Sequence, residues 1–186
     1  MADEEVLVNK NNISIVRPNP NQWVLLRDLK IKSIEQDRLA FADPVPEIEK
    51  YKKRTEEDWR AIVAGKISGG RPGESIVLLA QDGQEYIGLV TAIIPRDSQT
   101  ATVQHTFVDQ FHRQKGIGKV LLTTLIEKLK QKPDLTGVEL DVVTTQEAAI
   151  GLYKKLGFVI KGFTEQKATR DGKEYERYLM SLPLRS

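Results

Sequence analysis

One mixed α/β domain, of the α+β type, is the fold class this sequence predicts, and three observations predict it. Apolar residues recur every four positions over 117–129 but alternate with polar ones over 138–142, so helical and extended segments coexist. Helix-like and strand-like segments do not follow the strict βαβ order of a dinucleotide-binding fold. The length of 186 residues suits a single domain spanning 1–186 and suffices for a sizeable core.

The elements follow in order. Ile13 to Val16 reads as a first strand, closed by Arg17-Pro18. Asn19 and Asn21, on either side of Pro20, supply helix-start chemistry, and Trp23, Leu26 and Leu29 form one stripe of the helix that follows. That helix is expected to end near Ala40-Phe41, because Asp43-Pro44-Val45-Pro46 cannot continue it. After a charged stretch over 47–54, Thr55 caps a short helix with Glu56, Glu57 and Asp58 in its first turn, and Gly65 stops it. Residues 68–73 read as a loop. Ser75 to Ala80 and Tyr86 to Ile94 flank Asp82-Gly83, a hairpin signal, and Ala101 to Val108 is a further strand. Ile117, Leu121, Leu125 and Leu129 mark a helix over 116–130 that Pro133 ends. Val138, Leu140 and Val142 mark a half-buried strand, and Gln146 to Leu156 a helix stopped by Gly157. Phe158 to Lys167 and Glu174 to Leu182 form a last strand pair around Asp171-Gly172.

Composition removes several chemistries. The chain has no cysteine, so disulfides, thiolate zinc sites, iron–sulfur clusters and cysteine nucleophiles are excluded. Two histidines, His105 and His112, are too few for a three-histidine metal site, and no metal is expected. The formal net charge of +2 argues against a nucleic-acid partner. An acidic start and apolar runs far short of about 20 residues predict no leader, no membrane partner and a cytoplasmic location. The charge is nevertheless uneven. Residues 110–132 hold Arg113, Lys115, Lys119, Lys128, Lys130 and Lys132 against Glu127 alone, and so point to an anionic ligand.

The stretch Val108-Asp109-Gln110-Phe111-His112-Arg113-Gln114-Lys115-Gly116-Ile117-Gly118-Lys119 explains that excess. A strand runs into a glycine-bearing turn that opens a helix. The first amides of a helix have no internal partner and lie at its positive end, so they cradle anions. Gly116 and Gly118 permit close backbone approach, and Arg113, Lys115 and Lys119 add charge. A diphosphate is the natural guest. The nucleotide pattern Gly-x-x-x-x-Gly-Lys-Ser/Thr fails at Arg113 and Val120, and Gly-x-Gly-x-x-Gly fails at Leu121. A plain tight strand–helix turn with surface lysines also satisfies the turn alone.

Arg113-x-x-Gly116-x-Gly118 after a strand resembles the pyrophosphate-binding motif of the GNAT superfamily of N-acetyltransferases. About 28 residues later, the segment from Gln146 through Ala149, Leu152-Tyr153 and Gly157-Phe158 resembles that family's Asn-x-x-Ala-x-x-Leu-Tyr-x-x-x-Gly-Phe signature. The likeness spans nearly the whole chain, with its specific content in 108–158, the expected cofactor-binding and catalytic core. It implies a mostly antiparallel central sheet of six to seven strands flanked by about four helices. It also implies acetyl-CoA as cosubstrate, without a metal, and direct transfer of the acetyl group to a primary amine of a small molecule, peptide or protein. The amides of Gln114, Lys115, Gly116, Ile117, Gly118 and Lys119 would hold the pyrophosphate, with Arg113 opening the motif. Val108 and its neighbours would pair with the pantetheine arm where two strands splay apart. Tyr153 would protonate the leaving thiolate. Gln146 stands where the family often has asparagine, and would reach the pantetheine or adenine side. Gln110 stands at a frequent proline position, a change of stiffness more than of chemistry.

An attacking amine must lose a proton, and amides near Val108 could stabilise the oxyanion. His105 is the histidine placed to serve as base, with Glu85 and Glu176 as carboxylate alternatives. His112 would touch solvent or cofactor phosphate. Trp23, Trp59 and Phe41 read as core or as walls of the acceptor cleft. That cleft is expected between the N-terminal helices, the 66–73 loop and the last hairpin, with the basic runs Lys50 to Arg54 and Lys161 to Arg170 nearby. Relatives of this family often pair, so a homodimer is an expectation. A non-catalytic acyl-CoA sensor and another phosphate-ligand regulator are the competing readings.

Overall fold

Side chains of successive strand residues point to opposite faces, and the apolar runs of this chain use both faces. Leu78 and Ala80 pack into one core while Val77 and Leu79 pack into another. A sheet buried on both sides results. The computed structural model describes residues 4–10, 12–40, 44–170 and 172–185. Its strands are β1 (Glu5–Lys10), β2 (Ile13–Arg17), β3 (Gly73–Asp82), β4 (Glu85–Pro95), β5 (Thr100–Val108), β6 (Gly137–Val143), β7 (Val159–Phe163), β8 (Ala168–Arg170), β9 (Lys173–Tyr175) and β10 (Arg177–Pro183). Eight of them form one sheet in the order β1-β2-β3-β4-β5-β6-β10-β7, and β8 pairs with β9 apart from it. Every pairing is antiparallel except β5 with β6.

Five helices cover the faces: α1 (Trp23–Gln36), α2 (Pro44–Lys53), α3 (Glu56–Val63), α4 (Ile117–Lys130) and α5 (Glu147–Lys155). Ile117, Leu121, Leu122, Leu125 and Leu129 of α4 and Ile150 and Tyr153 of α5 fill the first core. Leu26, Leu29 and Ile34 of α1, Tyr51 of α2 and Trp59, Ile62 and Val63 of α3 fill the second. Trp59 is fully buried, and Trp23 packs against the same cluster, so both tryptophans are core residues. Each buried Leu, Ile or Val contributes roughly 1.5–3 kcal/mol relative to exposure, which makes these two layers the main source of stability.

The fold class is the expected one, with more elements than expected. Eight strands stand in the central sheet, not six to seven, because Glu5–Lys10 adds an edge hairpin partner to β2 through Val6↔Val16 and Val8↔Ile15. The extra helix is α2. Pro44 and Pro46 do stop the preceding segment, but a proline is tolerated in a helix's first turn, where its missing amide has no partner to lose. Thus the prolines open the next helix. α1 ends earlier than 40, at Gln36, where Asp37 leaves helical geometry and donates to Ser33 O at 3.0 Å; a 3-10 turn over Arg38–Ala40 follows. Phe41 and Asp171 lie outside the described residues. The final strand pair is β7 with β10, aligned at Phe163↔Tyr178, and the intervening chain folds back as β8–β9.

Two irregularities position the site. The β5–β6 ladder joins only Thr100–Thr102 to Gly137–Glu139 and then stops, so the strands separate toward the C-terminal end of β5. In the same place β5 carries a bulge: Val103 faces Ala92 and His105 faces Thr91, leaving Gln104 as the extra residue. The bulge inverts the facing of everything after it. Ala101 and Val103 point into the α4–α5 core, whereas Phe107 points into the α1–α3 core and His105 meets Tyr51.

Candidate active site

The cradle forms at the exit of β5. Asp109 caps a short 3-10 turn over Gln110–His112 by accepting from the Phe111 amide at 3.0 Å. Gln114 then adopts φ 62° and Gly116 φ 80°, a left-handed geometry that favours glycine at the helix N-cap. The first helical bond runs from the Val120 amide to Gly116 O at 3.1 Å. Among the described residues, no side chain caps α4, and no protein group accepts from the amides of Gln114 through Lys119. Six consecutive donors and a helix dipole therefore face outward together, with the exposed side chains of Lys115 and Lys119 beside them. Ile117 is buried and offers only its amide.

The two glycines serve different ends. A Cβ on Gly116 would meet nothing within 4 Å, so its requirement is conformational. A Cβ on Gly118 would come within 3.3 Å of Leu152 Cδ2 and 3.7 Å of Val108 Cγ2. Glycine there lets the first turn of α4 close onto β5 and α5. This contact joins the two sequence motifs into one wall.

A polar latch fixes the loop between them to α1. Asp109 is 1% exposed and its carboxylate receives Lys32 Nζ at 2.6 Å and Gln36 Nε2 at 3.0 Å, with His112 Nδ1 at 3.4 Å. Burial alone would raise its pKa, but these bonds hold the carboxyl well below the usual carboxylate range. Gln36 Oε1 accepts from the Gln110 amide at 3.0 Å. Arg113 donates through Nε to Val108 O at 2.9 Å and through its terminal nitrogen to Asp37 at 2.7 Å. Its guanidinium is thus spent on the latch, and the cradle itself is a backbone device. His112 belongs to the latch as well.

Tyr153 projects from α5 into the core, packed edge-on against Phe158 with ring centroids 5.9 Å apart. Burial pushes its phenol pKa up, with the Thr106 hydroxyl of β5 opposing and Asp141 of β6 reinforcing. The raised pKa keeps the phenol protonated. Gln146 is half-buried at the N-cap position of α5, bonded through its amide to Val143 O at 2.9 Å.

On the opposite face, a cavity of about 490 Å³ reaches the splay. It is lined by Thr102 to His105 of β5, Asp141 of β6, and Lys30, Tyr51, Arg54, Arg71 and Arg177. His105 Nε2 stands 2.8 Å from the Tyr51 hydroxyl. Withdrawal from water, and then Lys30, Lys50 and Arg54, push the histidine pKa well below its ordinary value, so the ring is neutral at pH 7. Lys30 is 4% exposed, with its ammonium 5.4 Å over the Tyr51 ring. Burial first, then Arg54, lower its pKa to about 7. Arg54 lies over the Trp59 ring at 4.7 Å and pairs with Asp58 at 2.9 Å. Arg177 pairs with Asp141 from the neighbouring strand. Glu85 and Glu176 lie outside this cavity: Glu85 is exposed at the β3–β4 turn and Glu176 pairs with Lys167 at 3.5 Å.

The expected site residues thus fall on two walls of one gap. Val108, Gly116, Gly118, Tyr153 and the cradle amides share one wall, and His105 opens onto the other. Sequence reasoning expected the N-terminal helices, the 66–73 loop, the last hairpin and the run Lys50 to Arg54 around the acceptor cleft but did not single out Lys30, Tyr51, Arg71, Asp141 or Arg177. Only Lys30 carried a local signal, as a lysine between Leu26, Leu29 and Ile34 on the buried stripe of α1.

Known proteins share this fold. A family model described as the acetyltransferase (GNAT) family matches residues 32–158. An L-2,4-diaminobutyric acid acetyltransferase of Shouchella clausii is 33% identical over 117 residues, spanning 59% of this chain and 65% of that protein's length. Among solved structures, an acetyltransferase of the GNAT family from Streptococcus pneumoniae superposes with a TM-score of 0.74 at 23% identity, over 92% of this chain and 98% of that one. Spermidine N-acetyltransferase from Vibrio cholerae, in complex with CoA and spermine, superposes with a TM-score of 0.66 at 16% identity, over 94% and 97%.

Proposed function

The chain belongs to the GNAT acetyltransferase family, and from that premise we propose that it is an acetyl-CoA-dependent N-acetyltransferase working through a ternary complex with a primary amine. One observation carries the reading. The β5–β6 ladder ends three residues in, and the gap it leaves runs from the unpartnered amides of α4 to the cavity that His105 enters.

The residues fit the cosubstrate. Six outward amides with Lys115 and Lys119 match a pyrophosphate in charge and in donor count. Beyond Thr102, β5 keeps only β4 as a partner, so alternate backbone groups face the gap and can pair with the amides of a pantetheine arm. Acetyl-CoA supplies a thioester carbonyl that a neutral amine attacks, forming a C–N bond as the C–S bond breaks and the thiolate departs. Tyr153, held protonated by burial, donates the proton that thiolate needs. On the other wall, Lys30, Arg54 and Arg177 disfavour a further positive charge, so an acceptor ammonium in the cavity loses its proton more readily than in water. His105 is neutral and bonded to Tyr51, and the burial and cations that keep it neutral make it a relay that passes the proton on toward solvent and does not hold it.

Arg113, Lys32, Gln36 and Asp109 act as positioning residues that set the loop entering α4. Gln146 stands at the mouth of the gap as a cofactor contact. No described helix is long and apolar enough to cross a membrane, and we place the enzyme in the cytoplasm, as a monomer or a homodimer without a nucleic-acid partner. The reading is tested by following free-thiol release from acetyl-CoA over a panel of amines, alongside thermal stabilisation by acetyl-CoA and by ATP. Amine-dependent thiol release, with stronger stabilisation by acetyl-CoA than by ATP, is the expected outcome. Stabilisation without turnover would favour an acyl-CoA sensor instead.

A further inference from the structure

We propose that the acceptor is a small amine carrying its own carboxylate, held in the 490 Å³ cavity by Lys30 and Arg71 so that its amino group meets the β5–β6 gap. This rests on the acetyl-transfer reading and narrows it to a substrate class.

Charge in the cavity is out of balance. Five cationic side chains line the cavity, Lys30, Lys50, Arg54, Arg71 and Arg177, against two carboxylates, Glu47 and Asp141. The local pairs can be assigned. Arg177 pairs with Asp141, Lys50 reaches Glu47 at 3.5 Å, and Arg54 turns to Asp58 behind the cavity wall at 2.9 Å. Two cations are left over. Among the described residues no carboxylate lies within ion-pair distance of Lys30, whose head is nearly buried over the Tyr51 ring and which feels Glu47 only as a more distant charge, and none pairs with Arg71, which is exposed and bonds only weakly to Ser68 O at 3.5 Å. A buried ammonium without a counterion is costly; Lys30 escapes part of that cost by shedding its proton readily, and an anion in the cavity would favour its charged form. Both leftover groups open onto the same cavity, so the missing anion is placed inside it.

The geometry selects among amines. A polyamine would add positive charge to a surplus of positive charge and meets two carboxylates that are already engaged. An amino acid supplies the anion that Lys30 and Arg71 lack, and it presents its amine within a few ångströms of that anion. The volume falls in the range of pockets that enclose small molecules, roughly 300–1,000 Å³. An acidic peptide N-terminus carries similar chemistry but exceeds that volume.

The test compares matched acceptors that differ only in charge. Acetyl transfer to L-alanine, L-glutamate and L-lysine is measured against each α-amide, and against spermidine and a peptide with an acidic N-terminal segment. An α-amide has the less basic amine and so more of the reactive neutral form at pH 7, which makes preference for the acid a sign of binding. We expect kcat/KM to favour the free acids by about tenfold or more, the ratio set by one charge-assisted contact. Arg71→Gln and Lys30→Met should each reduce that ratio toward one, mainly through KM, with acetyl-CoA affinity unaltered. Faster reaction of the amides or of spermidine overturns the proposal while leaving acetyl transfer intact, and so does activity confined to the acidic peptide. Absence of thiol release with every amine, together with weak acetyl-CoA binding, overturns the underlying function instead.

Discussion

The two walls of the gap hold their chemistry by different means. The proposed cofactor wall is local: twelve successive residues from Val108 to Lys119 turn a strand into a helix start, and the α5 segment from Gln146 to Phe158 packs against it through Gly118 and Leu152. Its recognition groups are mostly backbone amides, whose directions are set by φ and ψ. The proposed acceptor wall is assembled: α1 gives Lys30, α2 gives Tyr51, the bend after it gives Arg54, the 67–71 loop gives Arg71, β5 gives His105 and β10 gives Arg177. Its recognition groups are side chains: an exposed one such as Arg71 can change without disturbing the fold, whereas Lys30 and Tyr51 are set into the second core. A family that keeps one cosubstrate and varies its acceptors is well served by that division.

Tyr153→Phe probes the cofactor wall where chemistry is at stake. It deletes one oxygen and preserves the edge-on contact with Phe158. Turnover should fall about 100-fold, the lower range for loss of a general acid, with cosubstrate affinity near that of the parent. Calorimetric titration with CoA and steady-state rates separate the two quantities. Full activity would remove Tyr153 from the mechanism and leave it a core residue.

The latch tests whether the walls are mechanically linked. Asp109→Asn should weaken the bonds from Lys32 and His112 to a buried carboxylate and lower stability by about 2–3 kcal/mol at pH 7. The folded-state pKa of Asp109 is depressed, so its contribution is present above the unfolded value of about 4 and fades as pH falls through the folded value. Denaturation from pH 7 down to pH 2 should show the gap between parent and variant constant to about pH 4 and narrowing below it. A constant difference across that span would locate the effect in packing and not in charge.

Gly118→Val measures how closely the two motifs must approach. The new side chain presses on Leu152 and Val108, whose ends lie 3.3 and 3.7 Å from its Cβ. Overpacking of that kind costs about 1–2 kcal/mol, so CoA affinity should drop about tenfold. Gly116→Ala meets no neighbour but must hold φ 80°, and a smaller loss there would separate strain from contact.

Legibility in the sequence follows the same division. The cradle could be read because its chemistry is contiguous: two glycines, a preceding strand and a following four-residue period lie within one window. The strands and α4 could be read from their periods for the same reason. His105 was visible as a residue but its facing was not, since plain alternation from Ala101 and Val103 sends it toward α4, and only the bulge at Gln104 turns it to Tyr51. α2 hid behind its prolines, because Pro44 and Pro46 signal an end more loudly than a beginning. Arg71 and Arg177 are 106 residues apart and meet at one cavity only through the sheet order, which no local pattern encodes.

Lys30 is where the acceptor wall intrudes on the core, and it yields the smallest effect with the clearest sign. Burial lowers its pKa to about 7 from an ordinary value of 10.5. The folded protein therefore binds this proton more weakly than the unfolded chain does. Below pH 7 both states carry the charge and the cost of burying it is fully present; between pH 7 and 10.5 the folded state sheds the proton first, so stability contributed at this position rises with pH. Lys30→Met removes the charge and keeps the length of the stem. It should stabilise the protein by about 1 kcal/mol or more at pH 6, with the gain shrinking toward pH 10, as read from melting curves at matched ionic strength. A protein selected for stability alone would have made that replacement on an otherwise apolar stripe. Retaining a lysine there fits a group kept for what enters the cavity, and a destabilised Lys30→Met variant at pH 6 would contradict the cost on which that reasoning depends.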